Sequence, residues 1–238
     1  MTTLLYLSDT YASTATAKFL RVETNERGTA IVLNQTIFYP QGGGQPADHG
    51  TITAGEKVFH VTDVRLTPEG KVYHFGTFNG DEFAADCVVD LTIDMDRRLL
   101  HARLHSAGHL IDVAVTKANI QGITPTKGYH FSEGPYVEYD GVLEDAASWT
   151  EIVESISNEL VQQDIKIIAV DLSPEEAKEQ NIPAPEGKSA RFVYFDGYQS
   201  DGCGCGGTHV TSSKEIGTIT IRGIKSKKGV TKIKYQIS

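Results

Sequence analysis

Long hydrophobic runs are missing from this sequence, and their absence argues against a helical membrane protein. The apolar stretches extend over a few residues, whereas a membrane-spanning helix needs about 20. The N-terminal segment contains Asp9 and lacks a basic start followed by an apolar stretch, so no signal peptide is indicated. We therefore expect a cytoplasmic protein without a membrane partner.

Cysteine is also scarce. The chain has three cysteines among 238 residues, with Cys203 and Cys205 separated by one residue and Cys87 alone. This usage argues against a disulfide framework and favours a metal role. The hydrophobic content of 39% is enough for a sizeable core, and the length suits one large domain or two small ones.

Positive charge is in short supply over the chain as a whole. The formal net charge is −9, which by itself argues against a nucleic-acid partner. Residues 211–238, however, contain seven Lys or Arg residues and one Glu, so this segment carries +6 and the rest of the chain −15. A basic patch can bind phosphates on an acidic protein, but lysines also protect sheet edges from aggregation. Both interpretations stay open at this point.

The pattern of apolar residues changes near Ile93. Residues 3–92 contain many short β-rich runs separated by turn signals, which predicts a small barrel. From Asp94 to Lys117 there is no proline and one glycine, and apolar residues recur at helical spacing, which predicts one long helix capped by Asp94. We therefore predict an α+β fold: an N-terminal small β-barrel domain over 1–92, then an α+β domain over 93–238 with a long metal-binding helix and an antiparallel sheet.

Several further elements are predicted by local signals. Residues 36–39 are a strand candidate that Pro40 cuts off, and residues 128–131 and 135–139 are typical of a hairpin. Ser148 is a candidate N-cap for a helix over 149–163. Two strands, over 216–224 and 230–237, are expected to close the chain.

Two distant pairs of side chains are the strongest chemical signal. His105 and His109 are four positions apart, so on a helix both lie on one face. Cys205 and His209 flank a Gly-Gly-Thr segment that can turn tightly. Each pair has an ordinary explanation, a packed histidine or a flexible turn with an incidental cysteine, but together they form a ligand set suited to one Zn²⁺ per chain. Cys203 is the rival thiol.

The zinc site predicted here differs from two familiar types. Zinc proteases carry Glu directly after the first histidine, and Ser106 occupies that position. Four protein ligands are typical of structural zinc, whereas catalytic zinc usually has three and keeps one position open. The ligand count therefore leaves a structural, a positioning and a catalytic role open.

Three motifs together resemble a known family. They are His105-x-x-x-His109, Cys205-Gly206-Gly207-Thr208-His209, and the glycine-rich segment 38–50. The combination is similar to the editing domain of alanyl-tRNA synthetase and to its free-standing AlaX-type relatives, and the resemblance extends from about Ala30 to about Lys234. Threonyl-tRNA synthetases share the two pairs but lack the glycine-rich loop. Since the chain leaves no room for an aminoacylation domain, a free-standing editing protein is expected.

The resemblance implies an enzyme that hydrolyses the ester of mischarged tRNA(Ala), chiefly Ser-tRNA(Ala) and in some members Gly-tRNA(Ala), with no obligate protein partner evident. Gln45 corresponds to the family's loop glutamine, and Thr126 is our choice for the threonine that selects serine, with Thr124 the alternative. A site that hydrogen-bonds the seryl hydroxyl discriminates against alanine by ~10⁴ or more. The zinc ligands that the resemblance implies are His105, His109, Cys205 and His209.

Substrate contacts are expected from two further groups. The backbone N–H groups of Gly42, Gly43 and Gly44 are suited to an ester oxygen or a terminal phosphate, although glycines also serve sharp turns. Arg97, Arg98 and the nearby Arg103 are expected to contact tRNA phosphates, together with the lysines of the final hairpin, unless Arg97 and Arg98 are ordinary helix-surface charges. The competing functions are a non-catalytic RNA-binding module with a structural zinc, and a metallohydrolase of small esters.

Overall fold

The computed structural model of the chain describes residues 1–179, 182 and 189–238. The fold is α+β, as predicted, with an N-terminal barrel. The chain divides into two units, Met1–Leu100 and His101–Ser238, and the long helix α1 (Met95–Lys117) begins in the first and continues through the second. The predicted boundary between 92 and 93 stays a prediction.

The first unit is a closed six-stranded barrel. Strands β2 and β6 each contain a register shift, after Phe19 and after Val61, which bends these long strands around the barrel. At Gly76 a Cβ atom would lie 1.8 Å from the carbonyl oxygen of His60, so only glycine permits this close approach of β7 to β6. The barrel order is β2-β3-β7-β6-β5-β8. The strands are β1 (Thr3–Leu4), β2 (Thr14–Asn25), β3 (Gly28–Leu33), β4 (Gln35–Thr36), β5 (Gly50–Ala54), β6 (Lys57–Leu66), β7 (Val72–Asn79) and β8 (Val88–Ile93).

The prediction of a strand over 36–39 is wrong, since β4 ends at Thr36. The backbone N–H of Phe38 donates to Thr36 Oγ1 at 3.0 Å, and that of Tyr39 donates to Asp48 Oδ2 at 2.7 Å. These donors are used by side chains and are not available to a strand ladder. The apolar Phe38 and Tyr39 side chains are nevertheless buried, so their hydrophobicity reflects core packing of a loop.

The second unit contains the remainder of α1 and two antiparallel sheets. One sheet has the order β14-β15-β10-β9, and the other has the order β11-β12-β13. Val137 and Ile233 of the larger sheet belong to the same apolar core as Leu110 of α1 and Leu160 of α2, so both helices cover one face of that sheet. The elements are β9 (Thr124–Tyr129), β10 (Tyr136–Asp140), α2 (Thr150–Gln162), β11 (Ile167–Leu172), α3 (Pro174–Glu179), β12 (Ala190–Phe195), β13 (Cys203–Gly204), β14 (Ile219–Lys227) and β15 (Val230–Ile237).

Most predicted elements of this unit are confirmed. The N-cap of α1 is Asp94, whose Oδ1 accepts from the backbone N–H of Arg97 at 3.0 Å. The hairpin of β9 and β10 and the two closing strands are also present. Ser148 is not the N-cap of α2: its hydroxyl donates to the carbonyl of Asp145 at 2.7 Å within a 3-10 turn that precedes the helix. Within the described ranges, no helix is both long and apolar enough to cross a membrane.

We expect acid to destabilise the barrel through His74. Its ring is fully buried: Nδ1 donates to the Ile31 carbonyl at 3.0 Å, and Nε2 accepts from the Thr36 hydroxyl at 2.8 Å. Burial lowers the pKa of His74 to about 4, although the Ile31 carbonyl opposes this shift. The neutral form thus stabilises the fold fully above pH ~6.5, and this contribution is lost as pH falls toward 4, by at most about 1.4 kcal/mol per pH unit.

Chemical denaturation at several pH values measures this dependence. The variant His74→Gln keeps a donor and an acceptor but cannot titrate, so its unfolding free energy should fall less steeply between pH 6.5 and 4. The exposed His60 of the same barrel supplies the matched control, His60→Gln, which should keep the parent slope. Equal slopes for the parent and His74→Gln would refute the assignment.

Candidate metal centre

The four predicted ligands come together in the second unit. The donor atoms of His105, His109, Cys205 and His209 all lie within 4.8 Å of one another. Cys205 Sγ is 3.4 Å from His105 Nε2 and 3.3 Å from His209 Nε2. Cys203, the rival thiol, is exposed, and its Sγ lies 3.7 Å from His109 Nδ1. The geometry of the group therefore favours Cys205 as the thiol donor.

Helix α1 supplies two of the donors, and a glycine between them leaves space for a neighbouring ring. His105 and His109 are one turn apart, with ring centroids separated by 5.1 Å. A Cβ atom on the intervening Gly108 would lie 2.4 Å from Cε1 of His130. Because glycine leaves this space open, the His130 ring stacks on that of His105 at a centroid distance of 4.3 Å.

The loop that carries the other two donors is held by Arg191 of β12. Arg191 Nη1 donates to the carbonyl oxygens of Cys205 and Gly207, both at 2.9 Å. The backbone N–H of Cys205 in turn donates to the Arg191 carbonyl at 2.9 Å. A loop rich in glycine has many accessible conformations, and these three hydrogen bonds select one of them. No local pattern in the sequence indicates this role for Arg191, which lies 14 residues before Cys205.

Ser106 links the helix to the same loop. Its hydroxyl oxygen accepts from the backbone N–H of Val210 at 3.2 Å and lies 3.1 Å from His209 Nδ1. Metal-binding histidines are commonly oriented by a hydrogen bond to the second ring nitrogen. Ser106 thus occupies the sequence position at which zinc proteases carry their general-base glutamate, but here the side chain orients the candidate ligand His209.

His130 and Tyr235 form a second support that sequence reasoning missed. The Tyr235 hydroxyl donates its hydrogen to the Leu104 carbonyl at 2.8 Å, so it can only accept from His130 Nδ1, which lies 2.7 Å away. This bond fixes the neutral Nδ1–H tautomer of His130, because the carbonyl cannot donate. Burial lowers the pKa of His130 to about 3, and His109 acts in the same direction.

The protonation states of the four donors fit a divalent cation. Burial lowers the pKa of His109 to about 4 and those of His105 and His209 well below the ordinary value, and Arg191 also lowers all three. The imidazoles are therefore neutral and keep a lone pair each. Burial raises the pKa of the Cys205 thiol, while the Gly207 N–H and Arg191 oppose that rise. Three imidazoles and one thiolate are a donor set that suits Zn²⁺.

One further acidic group lies on α1 near the cluster. Asp112 follows His109 by three residues, and its Oδ1 accepts from the Tyr139 hydroxyl at 2.6 Å. Desolvation raises the pKa of Asp112 to about 7, although the bond to Tyr139 lowers it. The sequence could have indicated Asp112 by its helical spacing from the two histidines, but a lone aspartate gives no specific signal.

The loop of Gln45 belongs to the first unit. Gly42 and Gln45 exchange two backbone hydrogen bonds, at 3.1 and 2.8 Å, around Gly43 and Gly44. The φ values of Gly43 and Gly44 are +52° and +76°, which is the backbone of a tight turn that glycine favours. The Gln45 side chain is buried. The N–H of Gly42 is engaged by the Gln45 carbonyl, so the predicted anion contact would fall to the other two glycines.

The prediction that Arg98 contacts tRNA is wrong. Arg98 is fully buried in the first unit, where its guanidinium forms an ion pair with Asp48 and donates to the carbonyls of Ile37 and Thr10. A buried guanidinium engaged in this way cannot reach a phosphate at the surface. Arg97 is half-buried and donates to the Ala47 carbonyl at 2.9 Å. Arg103 donates to the carbonyls of Ile216 and Ser238.

Thr126 lies in β9 and is exposed. The register between β9 and β10 shifts next to it, and its hydroxyl donates to the Glu138 carbonyl at 2.9 Å. Thr124, the alternative, is also exposed and pairs with Asp140. The role of either threonine in selecting serine stays a prediction.

The fold and the donor cluster define an α+β protein with a candidate metal centre, and comparisons identify the family. A family model described as tRNA synthetases class II (A) matches residues 6–97. The AlaX-M alanyl-tRNA editing protein of Saccharolobus solfataricus is 32% identical over 251 residues, covering 100% of this chain and 99% of that protein. AlaX-L of Pyrococcus horikoshii is 28% identical over 97% of this chain and 57% of its own length.

The alanine–tRNA ligase of Haloquadratum walsbyi is also similar, with 31% identity over 91% of this chain. The chain spans only 23% of that ligase's length. Since the similarity to AlaX-M covers both proteins almost completely, the chain belongs to the family of AlaX alanyl-tRNA editing proteins. The resemblance drawn from the three motifs is confirmed.

We expect metal binding to depend on Cys205 and not on Cys203. The variant Cys205→Ser replaces a donor within the cluster, so the zinc affinity should fall by at least about a hundredfold, more than is usual for loss of a group that only orients a ligand. Cys203→Ser is the matched control and should retain about one zinc per chain. Metal content after dialysis and competition with a chromogenic chelator provide the measurements; the reverse order of the two variants would assign the thiol to Cys203.

Proposed function

We propose that this protein is an aminoacyl-tRNA deacylase that removes the wrong amino acid from tRNA(Ala), with Ser-tRNA(Ala) as the principal substrate and Gly-tRNA(Ala) as a second. The supporting observation is the cluster of four donors, formed by the two motifs that the AlaX resemblance singles out. The names of the AlaX-M and AlaX-L relatives, alanyl-tRNA editing proteins, agree with an editing role.

Hydrolysis of an aminoacyl ester makes a modest chemical demand because the ester is already activated. Water adds to the carbonyl carbon, the bond to the ribose oxygen breaks, and free amino acid and tRNA result. A bound zinc ion at the cluster supplies Lewis acidity or an anchor for the substrate amine or ribose hydroxyl. The residues of this chain supply the position and protonation state of the donors, through Arg191 and Ser106.

The glycine turn is proposed to act on the substrate directly, and Gln45 to act through it. The Gln45 side chain is buried, so its amide, which has both a donor and an acceptor, is proposed to hold the turn in the position that orients a water molecule or the amino acid. The N–H groups of Gly43 and Gly44 are suited to the developing charge on the ester oxygen. The positive φ values at these positions explain why larger residues are disfavoured there.

Thr126 is proposed to select serine as a hydrogen-bond acceptor. Since its hydroxyl hydrogen is donated to the Glu138 carbonyl, the oxygen can accept from a seryl hydroxyl. Alanine offers no such donor. The side chain is exposed, so water competes for the same acceptor, and the expected contribution is that of an ordinary hydrogen bond, about 1 kcal/mol.

A second candidate function is an RNA-binding module with a structural zinc. Four protein donors are typical of structural sites, because catalytic sites usually keep an open position. This candidate gives Gln45 no role in the chemistry. Deacylation assays separate the two functions.

The first assay follows ester loss from Ser-tRNA(Ala), Gly-tRNA(Ala) and Ala-tRNA(Ala) by acid precipitation of labelled amino acid. We expect rapid loss of serine, slower loss of glycine, and alanine loss close to the uncatalysed rate. His105→Ala should abolish the activity, and Gln45→Ala should lower kcat by about a hundredfold, as loss of one positioned polar group commonly does. Intact Ser-tRNA(Ala) in the presence of zinc-loaded protein would exclude the deacylase and favour the structural zinc.

The second assay compares Thr126→Val with Thr124→Val. The valine variants keep the shape of threonine and remove the hydroxyl. We expect Thr126→Val to lower the ratio of seryl to alanyl deacylation by about fivefold, the equivalent of one ordinary hydrogen bond, and Thr124→Val to leave it unchanged. If only Thr124→Val changes the ratio, serine selection belongs to Thr124; if neither does, it belongs to other residues.

A further inference from the structure

One face of the larger sheet has a composition that its fold does not require. The opposite face belongs to the apolar core that contains α1 and α2 residues. On the outward face, cross-strand pairing aligns one row of four residues, one from each strand. A second row lies beside it in the same register. We call this surface the lysine–tyrosine face; its rows are Lys225, Lys232, Glu138 and Lys127, then Gly223, Lys234, Tyr136 and Tyr129.

Three aromatic rings form a parallel stack at one end of this face. Tyr129 lies between Phe131 and Tyr136, at centroid distances of 4.4 and 5.4 Å and interplanar angles of 11° and 17°. Lys232 Nζ lies 4.2 Å from the centroid of the Tyr136 ring. The three rings are half-buried, so their exposed parts present parallel aromatic surfaces beside a cation.

The lysines of the face are solvent-exposed and reverse the charge of the chain locally. Lys127 and Lys232 keep side-chain exposures of 63% and 41%, and both form ion pairs with Glu138 at 3.0 and 2.9 Å. Lys225 and Lys234 are exposed as well. Four lysines around one carboxylate form a basic patch on a protein of net charge −9, and such a patch attracts phosphates.

Lys225 and Lys127 lie on the edge strands β14 and β9, but protection of sheet edges does not explain the side chains of the interior strands. In the strand order β14-β15-β10-β9, the strands β15 and β10 lie inside the sheet. Lys232 and Lys234 belong to β15, and Tyr136 belongs to β10. Edge-protecting lysines are useful where backbone groups are unpaired, and the backbone groups of interior strands are paired on both sides.

We propose that the lysine–tyrosine face binds unpaired nucleotides of RNA. Lysines neutralise the phosphates, and the parallel rings stack with bases. Gly223 in the second row has no side chain, and a Cβ atom built there meets nothing within 4 Å. The surface beside Lys234 is therefore open to a ligand. A duplex keeps its bases inside the helix and cannot use the rings, and the carboxylates of an acidic peptide would engage the lysines without stacking on the rings.

The inference rests on the proposed function only for the identity of the RNA as tRNA, whose acceptor end is single-stranded. Binding itself is independent of ester hydrolysis. It is therefore tested with an RNA that carries no amino acid. Failure of the deacylase assay leaves this test intact, and failure of this test leaves the deacylase assay intact.

The experiment is fluorescence anisotropy with a labelled single-stranded RNA of about ten nucleotides, within the usual site size of such surfaces. Tyr136→Leu removes the ring that stacks on the central Tyr129 and keeps an apolar side chain. It should weaken binding by about fivefold or more, as loss of one stacking contact does. Lys234→Glu should weaken binding and reduce its dependence on salt. Glu138→Gln releases two lysines from their ion pairs and should tighten binding.

The barrel supplies matched controls. Lys71 Nζ lies 5.4 Å from the centroid of the Tyr73 ring, and that ring stacks on Phe75. The barrel therefore also has a lysine beside stacked aromatic rings, but these residues are not part of the lysine–tyrosine face. Tyr73→Leu and Lys71→Glu should leave RNA binding unchanged. Thermal unfolding of each variant verifies its fold, and Glu138→Gln keeps the test decisive if Tyr136→Leu fails to fold.

The outcomes are distinct. Weaker binding by Tyr136→Leu and Lys234→Glu, tighter binding by Glu138→Gln, and poor competition by an RNA duplex of equal length support the proposal. Binding that is unchanged in all three variants overturns it. Equal competition by the duplex, with no effect of Tyr136→Leu, also overturns it, since that result describes a non-specific phosphate contact.

Discussion

The approach of the Cys205–His209 loop to helix α1 is the interaction on which the candidate site depends. The helix holds two imidazoles one turn apart, but a glycine-rich loop has no fixed shape of its own. Arg191 fixes the loop through two carbonyl oxygens, and Ser106 connects it to the helix. The space left by Gly108 admits the ring of His130. These contacts bring four donor atoms within 4.8 Å of one another, and such a group could hold one metal ion.

Burial of these donors suits the cluster to a cation that can compensate their desolvation. The histidines stay neutral because desolvation, their mutual repulsion as cations and Arg191 all disfavour the charged form. The thiol of Cys205 is raised in pKa by the same burial, so a thiolate becomes favourable when a divalent ion provides the opposite charge. A divalent ion bound at this cluster would therefore stabilise this unit. His130 and Tyr235 add a neutral, hydrogen-bonded support that brings no competing charge into the cluster.

The chain separates its charges in a way that suits an acidic partner. Its net charge is −9, yet the lysine–tyrosine face gathers cations beside a stack of three aromatic rings. Arg98 illustrates the opposite use of a cation. Its guanidinium is buried with Asp48 and two carbonyl groups, so it stabilises the first unit at the start of α1 and is not available to RNA. Removal of either partner would leave an unpaired buried charge, which is among the most destabilising changes a core can undergo.

The sequence by itself determined the elements whose signals are local. Helical spacing predicted α1 and its two histidines, repeated short strands predicted the barrel, and the motif around Cys205 predicted the second pair of ligands. Tertiary structure decided what depends on contacts between distant residues. It distinguished Cys205 from Cys203 by their positions around the cluster, placed Arg98 in the core, turned the apolar segment after Thr36 into a buried loop, and aligned lysines and tyrosines from four strands on one face. Burial, hydrogen-bond partners and cross-strand register arise only when remote segments pack together, so no local pattern contains them.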